Sequence, residues 1–158
     1  MYKKVLVPLD GSELAECALD HIKSLSQDGS IGDVTLLNVV KVDLSWSELY
    51  GANVNINAIR ESLLDSARKY LTGIASRFGS DGIKVKTEVL EGTRPADTII
   101  EYAQKNGMDM IAIASHGYTG LKKLVFGSVA DKVLHASSVP VLLIRPELCR
   151  TEEISKAA

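Results

Sequence analysis

The chain has 158 residues, 46% apolar and 24% charged, which is the make-up of an ordinary globular domain with one real core. Its formal net charge of −2, with 18 Lys and Arg scattered along it, argues against a nucleic-acid binder, which would usually show a basic face. No stretch approaches the run of roughly 18 apolar residues that a membrane helix needs. The first apolar stretch is broken by Pro8 and Asp10 and is too short for a signal peptide. A cytoplasmic protein without a membrane partner is therefore expected. Cys17 and Cys149 lie far apart and form no CxxC motif, so both are expected to be free thiols, Cys17 as a small apolar filler.

Apolar runs of strand length alternate with helical patterns. Val5, Leu6 and Val7 lie in a first strand that ends at Pro8. From Ser12, Leu14, Ala15, Ala18, Leu19, Ile22 and Leu25 recur at spacings of three and four, a helical face. Residues 29–33, with two glycines, read as the break after it. Residues 34–40 read as a second, nearly all-apolar strand. Residues 43–57 have no period and contain Trp46 and Tyr50, so a long loop is expected, of the kind that often serves as a lid or binding segment. A second long helix follows, with Ile59, Leu63, Ala67, Leu71, Ile74 and Phe78 on one stripe, and residues 79–82 end it.

Residues 83–90 alternate and predict a third strand. Pro95 suits a helix start, with Ile99, Ile100 and Ala103 facing inward and Gly107 as the stop. Residues 110–114 predict a fourth strand, residues 128–136 a fourth helix, and residues 139–144 a fifth strand. One domain over residues 1–146 and a loose polar tail over 147–158 are expected. Strand–helix alternation with apolar strands implies a single doubly wound parallel sheet, α/β in class, with helices on both faces. Ligands of such sheets bind beyond the carboxyl ends of the strands, where strand order reverses.

The most informative stretch runs from Ala114 to Ser128. It leaves a buried strand, passes Gly117 and Gly120, and ends in Gly127-Ser128 at a helix start. Phosphate needs backbone N–H groups aimed at it and a close approach without side-chain clash. A helix start supplies the first and glycine the second. Lys122 and Lys123 add positive charge, and the Ser128 hydroxyl can cap the helix or bond a phosphate oxygen. The bland alternative stands beside this: glycines make turns, and Ser128 to Asp131 is a good capping pattern. There is no G-x-x-x-x-G-K-[ST] motif and no G-x-G-x-x-G after the first strand, so neither a P-loop ATPase nor an ordinary dinucleotide fold is expected.

The segments Val-Leu-Val-Pro-Leu-Asp-Gly-Ser (5–12), Leu-Leu-Asn-Val-Val (36–40), Glu-Gly-Thr-Arg-Pro-Ala-Asp (91–97), the 114–128 loop and Val-Pro-Val-Leu-Leu-Ile (139–144) together resemble the universal stress protein family, over almost the whole chain and in the right order. Its ATP-binding branch has Gly, two residues, Gly, nine residues, then Gly-Ser or Gly-Thr. Gly117, Gly127 and Ser128 keep the second part of that spacing, and Ala114 replaces the first glycine. The resemblance implies a five-stranded sheet in the order 3-2-1-4-5. It implies ATP, with Mg²⁺ or Mn²⁺, held by Pro8, Leu9 and Asp10 along the adenosine, Asp10 near the ribose or a metal. Val39 would offer backbone hydrogen bonds to adenine. The loop residues Ala114, Ser115, His116, Gly117 and Gly120, with Gly127, Ser128 and Val129, would hold the phosphates. It also implies a homodimer paired through the last strand, bounded by Val139 and Ile144, and a role in the stress response.

Single residues have plainer readings. Asp10 also suits the cap of the first helix, with Glu13 completing a capping box. Arg94 reads as a solvated arginine that could reach a ligand. His21, His116 and His135 lack metal-ligand spacing, so no protein metal site is expected, and no carboxylate partner marks His116 as a base. The sequence thus supports a nucleotide-dependent regulatory protein without dedicated catalytic residues. The alternatives are a slow ATP hydrolase or phosphotransferase, and an interaction module of the same fold with an empty site.

Overall fold

The computed structural model describes residues 1–42, 55–79, 82–115 and 127–145. Five strands and four helices are seen among them: β1 (Tyr2–Pro8), α1 (Glu13–Gln27), β2 (Ile31–Val40), α2 (Ile56–Gly79), β3 (Val85–Glu91), α3 (Pro95–Lys105), β4 (Met110–Ala114), α4 (Ser128–Ala136) and β5 (Val141–Ile144). The strands form one sheet in the order β3-β2-β1-β4-β5, and every pairing is parallel. The chain winds outward from β1 to β3, then returns to the other side of β1, so strand order reverses between β1 and β4.

Side-chain alternation in the central strands splits the core in two. Val5, Val7, Leu36 and Ala112 pack against α1 and α2 through Ala18, Ile22, Leu71 and Ile74. Leu6, Leu37, Ile111 and Ile113 point the other way, onto Ile99, Ala103, Ala130 and Val133 of α3 and α4. Strands buried on both faces must be apolar at successive positions, which is why β1 and β4 read as continuous runs.

Several boundaries differ from expectation. β2 begins at Ile31, inside the stretch read as a break, because Ile31 and Asp33 pair with Tyr2 and Lys4 of β1. Gly32 is there for close approach: a Cβ at this position would lie 2.6 Å from the Lys3 carbonyl oxygen. α2 starts at Ile56, within the predicted loop, where the Asn55 side chain accepts a bond from the Ala58 N–H at 3.1 Å. Its buried stripe runs through Leu64, Ala67, Leu71, Ile74 and Phe78, while Ile59 and Leu63 are exposed. β5 starts at Val141, because Ser137 Oγ turns back on residue 139, bonding both its N–H and its carbonyl.

Cys17 fills the core as expected but is disulfide-bonded, which overturns the free-thiol reading for it. That reading rested on an assumed compartment, whereas bond formation depends on whether two sulfurs meet. Cys149, the 43–54 part of the long loop with Trp46 and Tyr50, and the polar tail lie outside the described residues. No helix among the described residues is long and apolar enough to cross a membrane.

Candidate functional site

The site is built where β1 and β4 end. Leu9, just past β1, is fixed twice by β2: its N–H donates to the Leu37 carbonyl at 2.8 Å, and its carbonyl accepts from the buried Asn38 side chain at 2.9 Å. The chain then turns at Asp10. Its Oδ1 accepts both the Ser12 N–H at 3.0 Å and the Ser12 hydroxyl at 2.6 Å. Ser12 Oγ in turn accepts the Ala15 N–H at 3.1 Å. The cap of α1 is therefore Ser12, not Asp10. Asp10 instead tightens the turn and brings its carboxylate to the rim of the cavity.

On the other side, Ser115 follows β4 and is fully buried. Its N–H donates to the Ile144 carbonyl at 2.7 Å, and its own carbonyl accepts from the Gly127 N–H at 2.8 Å. The chain thus leaves at Ser115 and re-enters at Gly127 at one point of the sheet edge. α4 begins there with Gly127 as N-cap and no side-chain cap. The first three N–H groups of a helix have no partner inside it. Ser128, Val129 and Ala130 therefore present theirs toward the cavity mouth with the positive end of the helix dipole. The capping reading of Ser128 is corrected, since it is the first helical residue. Asp131 does not cap either, as its carboxylate lies 3.5 Å from the His135 ring.

These two edges wall one cavity of about 240 Å³. Pro8, Leu9 and Asp10 line it from β1, Val39 from β2, Ala114 from β4, and Gly127, Ser128 and Val129 from α4. Eight of the sequence-proposed residues thus share one space. Ser115 is buried beneath it and does not line it. His116, Gly117 and Gly120, with Lys122 and Lys123, lie outside the described residues. Arg94 is not among the described residues that line this cavity, and it pairs with Asp97 at 3.1 Å. Ala114 pairs with Ile144 as the last residue of β4, so its backbone is extended strand. Its departure from the family pattern adds a methyl group to the wall and imposes no backbone strain.

Sequence reasoning missed the apolar walls: Ala15, Leu37, Pro95, Ile99, Ile113 and Ala130. Only their place at strand ends and helix starts could have marked them, because in sequence they look like core. Among the described lining residues, Asp10 and Ser128 are the ones with polar side chains. Such a space suits a flat apolar body, with polar recognition at one end. Behind the wall, a hydrogen bond from Lys132 holds the Asp97 carboxyl below the usual carboxylate range, and Arg94 adds to this. Burial raises the Tyr70 phenol far above its ordinary value of 10.0, and the Glu16 and Asp10 carboxylates add to it. No group of three metal-ligating side chains occurs among the described residues.

The family model for the universal stress protein family matches residues 1–145. The chain belongs to that family. This universal stress protein is 32% identical over 157 residues to universal stress protein MJ0577 of Methanocaldococcus jannaschii, covering 92% of this chain and 96% of that one. The solved structure of MJ0577 superposes with a TM-score of 0.78 at 34% identity, over 92% of this chain and 96% of the other. A universal stress protein family member from Arabidopsis thaliana, solved with AMP bound, shares the fold at 17% identity and a TM-score of 0.63, over 90% of this chain and 91% of that one. A universal stress protein solved in complex with cAMP does so at 19% and 0.59, over 92% and 98%.

Proposed function

We propose that this universal stress protein binds ATP in the cavity between β1, β4 and α4, and acts as a nucleotide-dependent regulatory homodimer of the stress response. The observation that carries this reading is an apolar slot that ends on an uncapped helix start bearing Gly127-Ser128. In it the base and ribose lie against Leu9, Leu37, Val39 and Ile99, and the phosphates lie at the N–H groups of α4. A helix start favours such charge by roughly 0.3–1 kcal/mol per exposed anion. The AMP and cAMP held by the two family members support an adenine nucleotide on this fold. Placing this chain in the ATP-binding branch rests on the Gly127-Ser128 pair and its spacing from Gly117.

Mg²⁺ and Mn²⁺ prefer oxygen ligands and often bind through one carboxylate and the phosphates. Asp10, the one charged residue among the described lining residues, would stand near such an ion. Among the described lining residues Asp10 is the one carboxylate, and the reading is of a ligand-sensing protein. Dimerisation is assigned to the free side of β5, a short apolar strand at the sheet edge. Isothermal titration with ATP and Mg²⁺ tests the proposal and should show saturable binding of one nucleotide per chain. Absence of heat at millimolar ATP, with no nucleotide released on denaturing the purified protein, would overturn it.

A further inference from the structure

We infer that the ion pair between Asp97 and Lys132 is a positioning device for the cavity, setting how far apart the starts of α3 and α4 stand. This rests on the nucleotide reading above. Both helix starts line the slot, α3 through Pro95 and Ile99 and α4 through residues 127–130. Asp97 lies between Pro95 and Ile99. Lys132 lies one helical turn beyond Ser128. Lys132 Nζ meets Asp97 Oδ1 at 2.6 Å, and Asp97 Oδ2 meets Arg94 Nε at 3.1 Å.

Below the pair, the two helices touch through Ala96, Ile99, Ala130 and Val133, apolar contacts that permit sliding. At the opposite end of α3, Gln104 bonds Ser138 just after α4, at 3.0 Å. The helices are thus tied at both ends, and the tie beside the cavity is Asp97–Lys132. Removing it leaves the far tie as a pivot, about which the N–H groups of α4 shift away from the slot. Lys132 acts through Asp97 and does not itself contact the ligand.

The sign of one substitution separates this from the obvious rival. If Lys132 bound a phosphate, neutralising Asp97 would free the lysine, remove a nearby repelling charge and tighten ATP. The positioning role requires the reverse. ATP–Mg²⁺ affinity and the melting temperature without ligand should be measured for wild type, Asp97→Asn, Lys132→Met, the double variant and Lys132→Arg. Each neutral variant should weaken ATP by about five- to tenfold, the double variant no more than either, with Lys132→Arg close to wild type and ligand-free melting lowered only by the small amount a surface ion pair contributes. Wild-type affinity in Asp97→Asn, tighter binding in it, or losses that add in the double variant would overturn the positioning role alone. No binding by the wild type would overturn it together with the nucleotide reading.

Discussion

At Ala114 a single methyl group stands where the family pattern has glycine. Ala114 pairs with Ile144 in a regular strand, so this residue needs no glycine-only backbone. What is left is the bulk of one methyl on the cavity wall. Ala114→Gly should therefore change ATP affinity by less than about threefold, and should cost about 0.5–1 kcal/mol of stability through the added backbone freedom in a strand. Parallel calorimetry and denaturant melts check both, and a tenfold gain in affinity would show that the methyl obstructs the site. Tyr70 gives a pH-dependent counterpart. Its phenol is neutral in the folded state well above its ordinary 10.0, chiefly because it is buried, whereas the unfolded chain ionises it near that value. The stabilisation is full below pH about 10 and is lost as pH rises further toward the folded value. Tyr70→Phe should flatten the alkaline decline in melting temperature above pH about 10, and an unchanged slope would contradict the assignment.

Among the elements, α1 and α4 begin differently, and that contrast separates scaffold from site. α1 is capped by Ser12, itself held by Asp10, so Ser12→Ala should cost about 1 kcal/mol in a denaturant melt. α4 starts on Gly127, which has no side chain to cap it, and the proposed function gives its first N–H groups to the phosphates. Much of this organisation was legible in the sequence. β4 and α4 were placed at their observed bounds, because an unbroken apolar run and a Gly-Ser start have few other readings. The stripe of α2 was misassigned at Leu63, since in a 24-residue helix the choice between neighbours depends on which way the face turns against β2 and β3. The start of β2 was missed because Gly32 looks like a breaker, and only the Lys3 carbonyl opposite explains it. Eight of the residues that the family resemblance proposes line one cavity, because they stand at strand ends and at a helix start. Leu37 and Ile113 were not proposed, because a cavity wall and a core share one chemistry. The Asp97–Lys132 pair joins residues distant in sequence, which no local pattern reveals.

For the whole molecule, the doubly wound sheet places every βα turn on one edge, and the reversal between β1 and β4 opens the space that their neighbours line. The opposite consequence of this order is that, among the described residues, β5 is the edge of the sheet, four residues long with Val141, Leu142 and Leu143 only partly buried. The proposed homodimer covers it. Sedimentation should give twice the chain mass, and Leu143→Lys, which puts a charge on that edge, should shift the protein toward monomer. A monomeric wild type would contradict the pairing. A crystal structure of the protein grown with ATP and Mg²⁺ shows whether an adenine nucleotide occupies the cavity with its phosphates on α4. The base is expected among Leu9, Leu37, Val39 and Ile99, with phosphate oxygens at the N–H groups of Ser128 and Val129. Nucleotide bound elsewhere, or an empty cavity at saturating ATP, would contradict it.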